Sequence, residues 1–126
     1  MKLHDLTVTA FGPFAGTERV DFDALNDAGL FLLSGATGAG KTSILDAVCF
    51  ALYGQVPGVR GIKALKSQHA PDDLRPEVVL DFSVRERRFV VRRSRTLKSR
   101  TTSGRRSSGA CWDFSALIPR TPGTCP

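Results

Sequence analysis

Two stretches of the chain alternate apolar and polar residues, which is the period of a half-buried β-strand. In the first stretch, residues 6–10 and 19–22 alternate on either side of a Gly- and Pro-containing turn. In the second, residues 78–84 alternate over most of their length, and a Glu-Arg turn and the apolar residues 89–91 follow. Each stretch predicts an antiparallel hairpin that presents one face to a core and the other to solvent.

An apolar run and a helical stripe lie between the two hairpins. Residues 30–33 are apolar throughout, as expected of a central strand that is covered on both faces. From Lys41 onward the pattern becomes helical, and Gly54 stands where a C-cap glycine would end the helix. The stripe expected to pack on the sheet consists of Ile44, Leu45, Val48, Ala51 and Leu52. Residues 55–76 contain several Pro and Gly and predict an irregular loop.

These elements predict an α/β fold over residues 1–94, with a mixed sheet, antiparallel hairpins and one helix. The remaining residues, 95–126, carry six Lys and Arg against one Asp, whereas residues 1–94 carry twelve basic against eleven acidic residues. This second segment is rich in Ser, Thr, Gly and Pro and shows no helical or strand period. We therefore expect one domain over 1–94 and a basic, disordered tail over 95–126.

A glycine-rich loop joins the apolar run to the helix. It reads Gly35, Ala36, Thr37, Gly38, Ala39, Gly40, Lys41, Thr42, which is the P-loop pattern between an expected strand and an expected helix. The glycines let successive backbone N–H groups converge on a phosphate, and the helix N-terminus adds its own N–H groups and positive dipole end. Lys41 is expected to reach the β and γ phosphates of ATP, and the Thr42 hydroxyl is expected to coordinate Mg²⁺.

A phosphate-binding loop does not hydrolyse ATP without a further carboxylate that holds magnesium and orients water. Asp81 follows an apolar stretch, but Phe82 and not a glutamate comes next, and the alternation around Asp81 favours a structural hairpin position. Asp46 lies on the helix, where a surface or capping role is expected. The sequence thus predicts a phosphate site for which no catalytic residue can be assigned.

The surroundings of the loop resemble the SbcC family of bacterial exonuclease subunits, in the SMC-like branch of the ABC ATPases. The Phe-Gly-Pro-Phe turn at 11–14 and the Ile-Leu-Asp-Ala stretch at 44–47, which ends in Phe-Ala-Leu-Tyr-Gly at 50–54, are more specific than the P-loop itself. The resemblance covers residues 1–93. It implies the N-terminal lobe of an ABC/SMC-like P-loop NTPase head.

The resemblance also implies residue roles and partners. It extends the phosphate and magnesium site from Gly35 to Ser43. It also suggests that Arg60 and Lys63 approach the base or ribose, although solvated surface charge is the simpler interpretation of these two residues. It implies a DNA-repair ATPase that processes double-strand ends with an SbcD-like nuclease subunit, through a head-to-head dimer that sandwiches ATP. In that family a C-terminal lobe brings the signature motif, the magnesium carboxylate and the catalytic glutamate. None of these is found in this sequence, so we expect ATP binding without efficient turnover.

Other interpretations of the sequence remain open. One is a small self-sufficient P-loop kinase or NTPase. Another is a nucleic-acid-binding module that uses Arg95, Lys98, Arg100, Arg105, Arg106 and Trp112, for which a solvated charge run is the simpler interpretation. The resemblance ends near Ser94, and a truncation or a shifted reading frame is a hypothesis for the residues that follow.

Targeting signals and membrane-spanning segments bear on where the protein is located. The first residues lack the apolar core of a signal peptide, and no apolar run reaches the length of a membrane span. The three cysteines have no paired spacing. We expect a reduced, cytoplasmic protein without a membrane partner.

Overall fold

The computed structural model describes residues 1–25, 32–57, 65–95 and 112–119. Within these ranges the chain forms five strands and one helix. In chain order they are β1 (Lys2–Thr9), β2 (Thr17–Asp21), α1 (Lys41–Tyr53), β3 (Glu77–Val84), β4 (Arg87–Arg95) and β5 (Trp112–Pro119). No helix in the described part of the chain is long and apolar enough to cross a membrane.

The strands form one sheet in the order β2-β1-β3-β4-β5, and all four neighbouring pairs are antiparallel. Both predicted hairpins are confirmed, as β1–β2 and β3–β4. The two hairpins join through β1 and β3, where Leu6 lies opposite Leu80 and Val8 lies opposite Val78. This register places the apolar residues of neighbouring strands side by side on one face.

Helix α1 covers that apolar face. The core combines sheet residues with residues of the helix and of three loops, and its buried members are Leu6, Val8, Phe11, Phe22, Ala47, Phe50, Ala51, Leu65, Val78, Leu80, Phe82 and Val91. Each large apolar side chain buried in this way contributes about 1.5–3 kcal/mol to folding. Ala47 and Ala51 are small, which lets the helix approach the sheet closely.

The C-terminal end of α1 is fixed to β4. Gly54 adopts φ 72° and donates its N–H to the Phe50 carbonyl at 2.8 Å, so the predicted glycine C-cap is confirmed. Arg93 of β4 donates from Nε to the Ala51 carbonyl at 2.9 Å, which places a cation at the negative end of the helix dipole. A Cβ at Gly54 would lie 2.7 Å from Arg93 Nη1, so a side chain there would displace this cap.

The buried face of α1 differs from the predicted stripe. Ala51 is buried as expected, and Ile44, Val48 and Leu52 are partly buried against the core. Leu45, however, is 56% exposed. Asp46 is only 9% exposed, so the expectation that it lies at the surface or caps the helix is wrong. The helix face that packs on the sheet carries Ala47, Phe50 and Ala51, so the helix is rotated relative to the predicted stripe.

The expected central strand at residues 30–33 is not found in its described part. Leu32 is 90% exposed and Leu33 belongs to no strand, while residues 30 and 31 lie outside the described ranges. A central strand needs a partner on each side, and both edges of β1 are already occupied by β2 and β3. The described sheet is consequently antiparallel and not mixed.

Within the segment that the sequence predicts to be a disordered tail, residues 112–119 form a strand. These residues form β5, which pairs with β4 and places Ile118 opposite Val90. The sequence-based prediction overlooked a short alternation of apolar and polar residues at positions 112–116, which is typical of a strand. The boundary proposed at Ser94 also falls inside β4, which ends at Arg95.

The sheet face opposite α1 carries ion pairs between neighbouring strands. Three of these pairs join Arg19 to Asp5, Arg88 to Asp81 and Arg92 to Glu77, with shortest N–O distances of 2.6–2.8 Å. Opposite charges placed across strands each add a modest stabilisation. The alternation seen in the sequence therefore divides the sheet into a core face and a charged face.

At one end of this sheet, His4 links three parts of the chain. It lies at a register shift between Leu3 and Asp5, where a bulge can redirect a side chain. Its Nδ1 lies 2.9 Å from both Asp23 carboxylate oxygens, and its Nε2 lies 2.9 Å from Ser83 Oγ. An ionised carboxylate only accepts hydrogen bonds, so Nδ1 carries the proton. This hydrogen bond from His4, together with nearby Lys2, lowers the pKa of Asp23.

Replacement Asp23→Asn is expected to lower the free energy of unfolding by about 0.5 kcal/mol at neutral pH, the scale of an exposed ion pair. Since the folded-state pKa of Asp23 is lowered, the stabilisation is present above the unfolded pKa of about 3.9 and is lost as pH falls through the folded value. Denaturant unfolding of both chains between pH 3 and pH 7 checks this. A stability difference that does not shrink at acid pH would contradict it.

Candidate phosphate-binding site

The N-terminus of α1 has no side-chain cap among the described residues. Gly40 is the N-cap residue with φ 91°, and the first helical hydrogen bond runs from the Ile44 N–H to the Gly40 carbonyl at 3.0 Å. No acidic residue stands in the first turn of the helix. The N–H groups of this turn and the positive end of the dipole are therefore left for an anionic ligand.

The glycine-rich loop folds around the Lys41 side chain. Gly38 adopts φ 85°, a conformation that favours glycine, and the Ala39 N–H bonds to the Ala36 carbonyl at 3.2 Å. Lys41 Nζ donates to the carbonyl oxygens of Gly35 and Ala36, each at 2.6 Å. When a phosphate binds, its oxygens would replace these two carbonyls as the hydrogen-bond acceptors of the Lys41 ammonium group.

A cavity of about 730 Å³ opens in front of this loop, within the usual size range of small-molecule sites. Three segments line it: the 11–14 turn, the P-loop with the first turn of α1, and residues 66–69, which we call the 66–69 segment. The lining residues are Gly12, Pro13, Thr37, Gly38, Gly40, Lys41, Thr42, Ser43, Lys66, Gln68 and His69. These described residues include two lysines and no carboxylate, which favours an anionic ligand.

The 66–69 segment is held in place by the 11–14 turn. The Gly12 N–H donates to the Leu65 carbonyl and the Ser67 N–H donates to the Ala10 carbonyl, both at 2.9 Å. Phe11 and Lys66 form an antiparallel bridge between the two segments. These bonds bring a second lysine to the cavity, where Lys66 Nζ also donates to the Asp72 carbonyl at 3.0 Å.

The aromatic residues of the 11–14 turn look exposed in the sequence, because they stand among Gly and Pro. Phe11 is instead only 1% exposed, and its ring centroid lies 6.0 Å from that of Phe50 on α1. Phe14 is half-buried beside Gly40. The turn is thus part of the core as well as part of the cavity wall.

Most of the predicted phosphate-binding residues meet at the cavity. Thr37, Gly38, Gly40, Lys41, Thr42 and Ser43 line it. Gly35 and Ala36 contact the Lys41 ammonium through their carbonyls, and Ala39 closes the loop turn. Arg60 and Lys63 lie outside the described residues.

Sequence patterns did not predict that the 66–69 segment lines the cavity. Its residues follow no strand or helix period, and the sequence gives no sign that they pair with the 11–14 turn. The specific Phe-Gly-Pro-Phe sequence of that turn was the nearest available signal. Such specific residue types are expected where a turn contacts more than one part of the chain.

Neither candidate carboxylate lines the cavity. Asp81 lies on β3 between the buried Leu80 and Phe82, so its side chain points to the opposite, charged face. There it accepts hydrogen bonds from Arg88 Nε and Nη2 at 2.8 and 3.1 Å, and this pairing raises the pKa of Arg88. The structural interpretation of Asp81 agrees with this geometry. Asp46 is buried on α1 and is not among the lining residues.

Comparison with known proteins matches residues 5–114 to the AAA domain family. The chain is 47% identical over 94 residues to the SbcC component of the nuclease SbcCD of Vibrio cholerae, which covers 74% of this chain and 9% of that protein. It is 40% identical over 93 residues to a probable DNA double-strand break repair Rad50 ATPase of Aquifex aeolicus, covering 74% of this chain and 9% of that protein.

A third relative matches nearly the whole chain. The SbcC component of the nuclease SbcCD of Lactococcus lactis is 36% identical over 98% of this chain and 12% of its own length. The similarity to known proteins therefore continues past Ser94, where the sequence motifs suggested that it ends. The chain spans only about a tenth of the length of these curated relatives.

Replacement Asp81→Asn is expected to lower the free energy of unfolding by about 1.5 kcal/mol, because it weakens a bidentate, part-buried pair with Arg88. ATP affinity of the folded chain is expected to stay unchanged, since Asp81 does not line the cavity. Denaturant unfolding and calorimetric titration with Mg-ATP measure the two quantities. A large loss of affinity at unchanged stability would show that Asp81 contacts the magnesium.

Proposed function

The chain belongs to the AAA domain family, and on that premise we propose that it binds ATP with Mg²⁺ through residues Gly35 to Ser43. The observation that carries the proposal is a cavity formed at an uncapped helix N-terminus, with Lys41 beside it and no carboxylate among the described lining residues. Such a site suits a polyphosphate because backbone donors, a lysine and a helix dipole converge on one volume.

Each group has a separate role in this proposal. The backbone N–H groups of the loop and of the first turn of α1 hold the phosphates. Lys41 leaves the carbonyls of Gly35 and Ala36 to neutralise phosphate charge. Thr42 is exposed at the cavity, where its hydroxyl is free to serve as a magnesium ligand. Magnesium, when bound, neutralises charge on the phosphate oxygens.

The larger assembly is also a proposal, because the chain spans about a tenth of its relatives. We assign it to the ATP-binding N-terminal lobe of an SbcC-like ATPase, which works in the cytoplasm with an SbcD-like nuclease subunit on double-strand DNA ends. A head-to-head dimer belongs to the same proposal. The names of the relatives, a nuclease component and a DNA-repair ATPase, support this assignment.

Exposed apolar side chains support the idea of an incomplete head. Leu32, just before the P-loop, and Leu45 and Tyr53 of α1 are all largely exposed. Large apolar residues left uncovered around one element are typical of a surface that another segment packs against. A second lobe of the head would cover them.

Hydrolysis by this chain alone is not part of the proposal. ATP hydrolysis in P-loop proteins uses a carboxylate near the magnesium, and within the described residues none lines the cavity. The absence of a carboxylate from the described lining also weakens the alternative of a self-sufficient kinase or NTPase. The nucleic-acid-binding alternative rests mostly on residues 96–106, which lie outside the described ranges.

Replacement Lys41→Ala is expected to weaken Mg-ATP binding about a hundredfold, because a charge-assisted hydrogen bond to phosphate is worth about 1.5–3 kcal/mol. Isothermal titration of the 126-residue chain with Mg-ATP measures the change. The matched control is Lys2→Ala, which removes a lysine of β1 that pairs with Asp23 and does not line the cavity.

Equal affinity in the wild-type and Lys41→Ala chains would sink the proposed site. Steady-state phosphate release by the wild-type chain is expected to stay near the buffer rate. Rapid hydrolysis that depends on Lys41 would show instead that the chain carries its own catalytic carboxylate.

A further inference from the structure

The 11–14 turn packs against the P-loop helix without room for added atoms. Gly12 has φ 58°, and a Cβ on it would lie 2.9 Å from Ser43 Oγ and 3.1 Å from Ser43 Cβ. On the other side of the contact, a Cβ on Gly40 would lie 2.6 Å from the Phe14 ring and 3.1 Å from Pro13. Two glycines, one in each partner, thus permit this approach.

The same turn is hydrogen bonded to the opposite wall of the cavity. Gly12 donates its N–H to Leu65, and Ser67 donates its N–H to Ala10. One residue, Gly12, therefore touches Ser43 in the first turn of α1 and bonds to the chain that leads into the 66–69 segment. A shift of the turn moves both walls relative to each other.

We propose that Gly12 is a positioning residue, which sets the spacing between the phosphate loop and the 66–69 segment and so couples the two when nucleotide binds. This inference rests on the proposed function. ATP bound at Lys41 fixes the first turn of α1, and the contact between Ser43 and Gly12 then fixes the 11–14 turn. The two backbone hydrogen bonds of that part of the chain, to Leu65 and from Ser67, in turn fix residues 65–67. Gly12 contacts no reacting atom and acts only through Ser43 and Leu65.

Replacement Gly12→Ala disturbs this arrangement in two independent ways. A positive φ of 58° is strained for alanine, and the new methyl group meets Ser43 well inside normal contact distance. The turn must then move away from Ser43, or Ser43 must move and carry the first turn of α1 with it. Either shift changes the cavity that the phosphates enter.

Gly16 provides a matched control. It stands in the same β1–β2 connection, a Cβ on it would meet no atom of the described residues within 4 Å, and its φ is not in the positive region. Val91→Ala provides a second control, because it removes atoms from the core and lowers stability without touching the cavity.

The first measurement is calorimetric titration with Mg-ATP of the full wild-type chain and the three variants, each at a temperature where it is folded. Gly12→Ala is expected to bind about tenfold more weakly, whereas Gly16→Ala and Val91→Ala keep wild-type affinity. If Gly12→Ala binds as tightly as wild type and only its melting temperature falls, Gly12 is merely structural and the inference is wrong.

The second measurement is amide hydrogen exchange with and without saturating Mg-ATP, a readout that a structural role alone would not move. In the wild-type chain, ATP is expected to slow exchange at the Gly12 and Ser67 amides as well as in the first turn of α1. Protection that stops at α1 would overturn the coupling. A wild-type chain that binds no ATP would overturn the proposed function, and the coupling with it; binding without coupled protection overturns the coupling alone.

Discussion

The close contact between the 11–14 turn and the first turn of α1 is the constraint on which the rest of the site depends. Gly12 and Gly40 lack side chains at the point where the two segments meet, and Phe14, Pro13 and Ser43 fill the space around them. Because the turn continues directly from β1, the phosphate loop takes its position from a strand that is paired on both sides. A loop that must present several N–H groups to one ligand gains from such a rigid base, since less ordering is left to be done on binding.

The helix is fixed at its other end by a different interaction. Arg93 bonds to the Ala51 carbonyl, beside the glycine cap at Gly54. The negative end of the dipole is thus met by a cation from β4, while the positive end, which no described side chain caps, faces the cavity. Since the two ends are held by different strands of one sheet, the helix cannot easily tilt away from the site. The small buried residues Ala47 and Ala51 add to this by keeping the helix close to the sheet.

Sequence patterns predicted the parts of the fold that local rules decide. Both hairpins follow from period-two alternation, the helix bounds follow from Lys41 and Gly54, and the loop follows from its glycine spacing.

The patterns failed where contacts distant in sequence decide the structure. Leu45 is as apolar as any core residue, yet it is exposed, because close packing by alanines selects a different helix face. An apolar run such as the one that includes Leu32 predicts burial, but burial needs neighbours, and the described sheet offers none beside it. Residues 66–69 form a wall only because Gly12 and Ala10 supply backbone partners more than fifty positions earlier in the chain, and no local property of that segment encodes the pairing.

The chemistry of the cavity separates binding from hydrolysis. Backbone N–H groups, Lys41 and the helix dipole all stabilise negative charge that is already present on a bound polyphosphate, so they serve affinity. Hydrolysis adds a need to hold magnesium and orient a water molecule, and magnesium commonly takes one or two carboxylate ligands besides phosphate oxygens. The described lining offers the Thr42 hydroxyl and no carboxylate, because Asp81 is committed to Arg88 on the other face of the sheet and Asp46 is buried in α1 away from the lining. In the proposed assembly, the second lobe that covers the exposed Leu32 and Leu45 would supply that carboxylate. Binding and turnover would then be divided between two pieces of protein, and assembly of those pieces would control hydrolysis.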